Sequence, residues 1–163
     1  MNRLTFLARV VAGLGLLAIP GVLRAQFSIT VNGQTTTISA AEFAALPHQT
    51  VTAFDAHDHQ NHAYSGVAAE AVLSRGGVPL GESLRGKRLR QIVIAHTSDN
   101  YDIVYALAEF DPAFNPRTIL VVDQQDGRPL NPTSAPYRLM IPGDKRPARW
   151  ARMVTGFEVK TVD

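Results

Sequence analysis

The 163-residue chain contains no cysteine. That excludes disulfides, thiolate metal sites, cysteine nucleophiles and iron–sulfur clusters. The fold must therefore rest on packing and hydrogen bonds. Long apolar runs are also missing: the best, residues 10–19, falls well short of the roughly 20 residues of a membrane span. No pair of adjacent arginines precedes that run, since Arg3 and Arg9 stand apart, and the twin-arginine export route uses such a pair. Neither an internal repeat nor a low-complexity linker is present. Tryptophan occurs once, as Trp150.

The first 25 residues read as a leader. Arg3 and Arg9 supply positive charge, the apolar run follows, and Pro20-Gly21 breaks it. Leu23-Arg24-Ala25 then offers a cleavage site before Gln26. Charge, short apolar core and small residue in that order are the signature of a secretory signal peptide. The expectation is a signal peptide over 1–25 and one domain over 26–163, delivered to the periplasm by the general secretory route without a stable membrane span. That route threads unfolded chains, which argues against a complex cofactor loaded in the cytoplasm. Arg3, Arg9 and Arg24 fall in the leader, so the remainder is balanced to within one charge. A broadly basic surface for nucleic acid is not supported.

The remainder reads as many short strands with a few short helices, an α+β domain with mixed, mostly antiparallel sheets. Residues 27–31 alternate apolar and polar, Asn32-Gly33 is a strong hairpin signal, and 35–38 return. Ser39-Ala40-Ala41-Glu42 is a capping box opening a helix that Pro47 stops. Residues 50–54 predict a strand, 55–61 a polar turn, and 62–65 a strand pairing back. Residues 67–75 present Val67, Ala71, Val72 and Leu73 on one helical face, closed by Gly76-Gly77. Further strands are expected over 89–95, 101–106, 118–123, 137–141 and 157–162, with short helical turns over 108–114 and 148–153.

Three segments resemble a known family when taken in order. They are Ala44-Ala45-Leu46-Pro47 with Val51-Thr52-Ala53; Tyr64-Ser65-Gly66-Val67 with Leu73 and Gly76-Gly77-Val78-Pro79-Leu80; and Pro142 to Trp150 (PGDKRPARW) with Val154 and Phe157-Glu158-Val159. Their spacing is similar to that of the oxidoreductase molybdopterin-binding domain of the sulfite oxidase family, and most similar to its small, free-standing exported relatives. The resemblance spans nearly the whole of 26–163, and the third segment is its most specific part. It implies a sulfite-oxidase molybdopterin-domain-like fold. In that family the strand resembling Val51-Thr52-Ala53 runs into a cysteine that ligates molybdenum. Here His57 or a near neighbour stands at that place, and an imidazole is a different donor from a soft thiolate. The resemblance thus implies the fold more strongly than the activity.

Four groups could carry chemistry. Asp55, His57, Asp58, His59 and His62 are the densest set of metal-ligand types. On an extended strand Asp55, His57 and His59 face one way, and a hairpin brings in His62, a pattern suited to zinc or copper; the competing expectation is a solvated polar turn. Lys145, Arg146, Arg149 and Arg152 surround Trp150. Guanidinium forks suit phosphate, and the resemblance sets this loop, with Tyr64, beside a pterin; against that, Trp150 reads as core. Arg85, Lys87, Arg88 and Arg90 read as a solvated face. Among Asp99, Tyr101, Glu109 and Asp111, Asp111 before Pro112 reads as a turn or cap residue.

The leading functional expectation is a periplasmic, non-catalytic ligand-binding or redox-accessory module, taking a small anionic or pterin-like ligand or a periplasmic redox partner protein near residues 145–150. A molybdopterin-dependent oxidoreductase with a non-cysteine metal ligand is the catalytic alternative. A histidine-based zinc or copper protein and a structural part of a larger redox complex are the others.

Overall fold

The computed structural model describes residues 25–56, 58–144 and 146–162. The leader expected over 1–25 therefore lies outside the described residues, apart from Ala25. Among the described residues no helix is long and apolar enough to cross a membrane.

Among the described residues, ten strands make two five-stranded sheets, accompanied by two α-helices. In chain order the strands are β1 (Gln26–Val31), β2 (Gln34–Ser39), β3 (His48–Asp55), β4 (Gln60–Ala68), β5 (Gln91–Thr97), β6 (Ile103–Ala106), β7 (Leu120–Gln125), β8 (Arg128–Pro129), β9 (Arg138–Met140) and β10 (Val154–Thr161). The helices are α1 (Ala40–Ala44) and α2 (Ala69–Arg75), and short 3-10 turns fill several connections. One sheet runs β2-β1-β10-β5-β6; the other runs β3-β4-β7-β8, with β9 also paired to β7. Every pairing is antiparallel except β1 with β10. This is the mixed, mostly antiparallel α+β class expected from the sequence.

Local chemistry accounts for many boundaries. Asn32 and Gly33 both adopt positive φ, 50° and 79°, which is the turn that matches strand twist in a two-residue hairpin. The capping box forms: the Glu42 backbone N–H donates to Ser39 Oγ, and the Ser39 backbone N–H donates to the Glu42 carboxylate 2.8 Å away. Three expectations need correction. Residues 66–68 continue β4, so α2 starts at Ala69; Val67 is fully buried as a strand residue. β10 begins at Val154, earlier than expected. The β3–β4 pairing is also longer, running from His48 opposite Val67 to Asp55 opposite Gln60.

A single apolar core takes side chains from both sheets. Phe27 is its hub, with Phe157 at 4.9 Å and Tyr137 at 5.3 Å between ring centroids, both edge-on. Such pairs add about 0.5–1.5 kcal/mol each beyond area burial. The sheets are also stitched by backbone: Val154 N–H donates to Tyr137 O and Leu139 N–H to Ala151 O, at 2.8 and 2.7 Å. That stitching brings β9 and the segment 147–153 against the open end of β3, where the site lies.

Candidate functional site

The turn after β3 decides where its polar residues go. Alternation along β3 turns Asp55 inward, to 8% exposure, and leaves Phe54 52% exposed. The chain leaves the strand at residue 56, and His59 takes φ of 59°. Of the array of Asp55, His57 and His59 expected on an extended strand, Asp55 is the last residue of β3 and His59 lies in the turn that follows. His57 itself lies outside the described residues. His59 is exposed, with its ring 6.2 Å from that of Phe54. His62 lies between two carboxylates, Nδ1 at 2.6 Å from Asp126 and Nε2 at 2.7 Å from Asp58. The bonds to Asp126 and then Asp58 raise its pKa. Among the described residues no group of three or more His, Asp or Glu is arranged to hold a metal ion.

Asp55 meets a buried arginine that the sequence reading did not single out. Arg138, on β9, is 3% exposed. Its Nη1 donates to Asp55 Oδ2 at 3.0 Å and to the Tyr64 hydroxyl oxygen at 3.2 Å, while that hydroxyl donates to the same Asp55 oxygen at 2.9 Å. The guanidinium carbon lies 5.1 Å from the Tyr64 ring centroid and 5.8 Å from that of Trp150. An arginine buried among aromatic faces with a carboxylate partner is the arrangement that lets a desolvated charge persist. Burial pushes the Tyr64 hydroxyl up to about 12, so it remains a donor. Arg138 Nε is buried and finds no acceptor among the described residues.

Arg138 also lines a cavity of about 380 Å³, with Asp99, Tyr101, Pro147, Trp150 and Arg152. A second cavity of about 360 Å³ is bounded by Ala53, Phe54, Pro142, Asp144, Pro147 and Trp150. Pro147 and Trp150 thus serve both. Trp150 is 8% exposed and its indole N–H donates to Ile141 O at 3.1 Å, so it is core and cavity wall at once. Tyr64 is wholly buried and stands behind Arg138.

The cations of the 145–152 loop are not alike. Lys145 lies outside the described residues, and Arg146 is exposed. Arg149 is committed to protein carboxylates: Nη2 pairs with Glu109, and Nε lies 3.4 Å from Asp144. Its guanidinium also sits 5.0 Å from the Tyr105 ring centroid. Asp144 in turn receives Arg117 Nη1 at 2.9 Å. Arg152 borders the first cavity. Asp111 is buried and accepts from the Ala113 backbone N–H, a capping role as expected. Arg85, Lys87, Arg88 and Arg90 all lie exposed, as a solvated face does.

Arg138 was missed because a lone arginine in Tyr-Arg-Leu-Met looks like any surface cation on a strand. The available signal was its neighbours: Leu139, Met140 and Ile141 form a continuous apolar run, which marks a strand buried on both faces.

These features define an α+β domain of two mixed, mostly antiparallel sheets. No protein-family model matches the chain, and no curated protein matches it in sequence. Among solved structures it is similar to the sulfane dehydrogenase SoxCD from Paracoccus pantotrophus, with a TM-score of 0.64 and 15% identity, over 85% of this chain and 39% of that one. At that identity the likeness is one of fold. This chain spans about two fifths of that neighbour's length.

Proposed function

We propose that this chain is an exported, periplasmic binding or redox-accessory domain that uses the sulfite-oxidase-type frame without molybdenum chemistry. One observation carries the reading: the strand that leads to a cysteine ligand in the resembling family ends here in Asp55, and Asp55 is closed off by Tyr64 and Arg138. The strand's end offers a carboxylate and, just beyond it, imidazoles, whereas the metal in that family is gripped by a soft thiolate. No cysteine elsewhere in the chain can substitute. The pterin's phosphate fares no better at Arg149, whose charge is answered by Glu109 and Asp144. The residues present do not fit the cofactor that the resemblance implies.

The cavity between Trp150 and Arg138 is the ligand site in this reading. It is at the small end of the 300–1,000 Å³ of ordinary ligand pockets. It combines aromatic walls with a few fixed polar groups, which is how such pockets orient small molecules. A periplasmic redox partner protein is the alternative occupant of this face.

Elemental analysis and pterin fluorescence on protein purified from its native compartment test the reading. Neither molybdenum nor pterin is expected at stoichiometric level. One molybdenum and one pterin per chain would replace it with the oxidoreductase alternative.

A further inference from the structure

We propose that the cavity beside Trp150 takes an aromatic zwitterion, a small molecule with an amino-acid head group and one flat ring, its carboxylate on Arg138 and its ammonium on Asp99. The proposal rests on the binding-module reading above and narrows it to a ligand class.

The first support is the orphaned Arg138 Nε. Nη1 is fully used by Asp55 and Tyr64, yet Nε is also buried and has no acceptor among the described residues. Buried donors are almost always answered. Arg138 lines the cavity, and a carboxylate that reached its Nε–Nη2 edge would complete the two-point geometry that guanidinium offers.

The second support is the balance of charge. Arg138, Arg152 and Asp99 line the cavity, and Asp55 stands behind Arg138. Among the described residues, these two positive and two negative formal charges cancel. A free oxyanion would leave an unbalanced negative charge in a partly enclosed site. A ligand with one charge of each sign does not, and its two ends match the two signs on the walls. Asp99 is fixed for this role: its Oδ1 accepts from the Thr97 hydroxyl at 2.6 Å and from the Tyr101 backbone N–H at 3.2 Å. Trp150, Tyr101 and Pro147 then supply flat apolar walls for one ring.

Trp150 is the sole tryptophan, so its fluorescence reports on the cavity wall directly. Titrations of the full chain with L-phenylalanine, hydrocinnamate, phenethylamine and sodium sulfate, repeated by calorimetry, test the class. L-phenylalanine is expected to saturate, and loss of either charged end to weaken binding about tenfold or more. Asp99→Asn keeps an acceptor oxygen for the turn, and should erase the preference for phenylalanine over hydrocinnamate. Tyr101→Ala, at an exposed position, should weaken every ring-bearing probe, so the test does not depend on an Arg138 variant folding. Equal affinity for phenylalanine and hydrocinnamate, or an unchanged preference in Asp99→Asn, would overturn the zwitterion. Saturation by sulfate with no response to phenylalanine would overturn it too, while leaving a binding module in place. Silence toward all four probes also ends it. Molybdenum found one-to-one in the native protein strikes instead at the functional reading beneath.

Discussion

Asp55 and Arg138, 83 residues apart in the chain, meet through one carboxylate oxygen that also accepts the Tyr64 hydroxyl. Both side chains are at least nine-tenths buried. Removing one partner from such a pair strands the other charge in a dry setting and costs about 3–5 kcal/mol. Asp55→Ala should therefore lower the urea midpoint sharply. The paired replacement Asp55→Leu with Arg138→Met should be milder than the sum of the single changes, because no lone charge remains. A double-mutant cycle by urea unfolding measures this; additive single effects would mean that the two residues do not act as a unit.

The same cluster shows what the sequence made legible and what it did not. Hairpin chemistry at Asn32-Gly33, the capping box at Ser39 and the apolar run after Thr118 are local signals, and each forms the expected element within a few residues. The parallel pairing of β1 with β10 joins positions more than 120 residues apart, and no short-range pattern encodes it. The candidate site divides in the same way. Trp150 reads as core from the sequence, and in the fold it is buried and also lines the cavity. Arg138 carries the site's buried charge, and what signals its burial in the sequence is not the residue itself but the apolar run Leu139-Met140-Ile141 beside it. Of the histidines read as a ligand set, His59 takes a positive φ in the turn after β3, and His62 is held between Asp58 and Asp126.

His62 predicts a pH dependence of known sign. Its bonds to Asp126 and Asp58 raise its folded-state pKa above the usual 6.5. A group raised on folding binds its proton more tightly in the native state, so its stabilisation is complete below the unfolded value and is lost as pH rises through the folded one. Asp58, held down chiefly by the His62 bond, and Asp126, held down by the Ala63 backbone N–H and then by His62, act oppositely: theirs is lost as pH falls through their depressed values. Thermal midpoints should therefore decline from pH 6 toward pH 9. His96 is raised as well, by Asp102 and Glu158 acting against its burial, and contributes with the same sign. His62→Gln should flatten part of this slope and His96→Gln another part. An unchanged slope in the His62 variant would show that the carboxylate bracket does not hold in solution.

Arg149 is expected to matter little for stability despite its two acidic neighbours. Its side chain is 42% exposed, and exposed ion pairs contribute about 0–1 kcal/mol. Arg149→Gln should cost no more than that by urea unfolding, and the cost should shrink further in high salt. A loss above about 2 kcal/mol would show that the stacking on Tyr105 carries more of the interaction than the charges do.

Gly156 tests the long-range pairing that holds the two ends of the described chain together. It lies opposite Ser28 in the parallel β1–β10 register, next to the irregularity in the β10–β5 ladder. A Cβ placed there would fall 2.1 Å from Ser28 Oγ and 2.3 Å from the Ser28 backbone oxygen. The side-chain oxygen could rotate away, but the carbonyl cannot move without shifting β1. Gly156→Ala should therefore destabilise by about 1–3 kcal/mol through overpacking. Pairing it with Ser28→Gly should recover only a small part, because the backbone clash remains. Urea midpoints of the single and double variants decide between the two sources of strain. Full recovery in the double variant would assign the whole cost to the hydroxyl and show that the backbones have room to part.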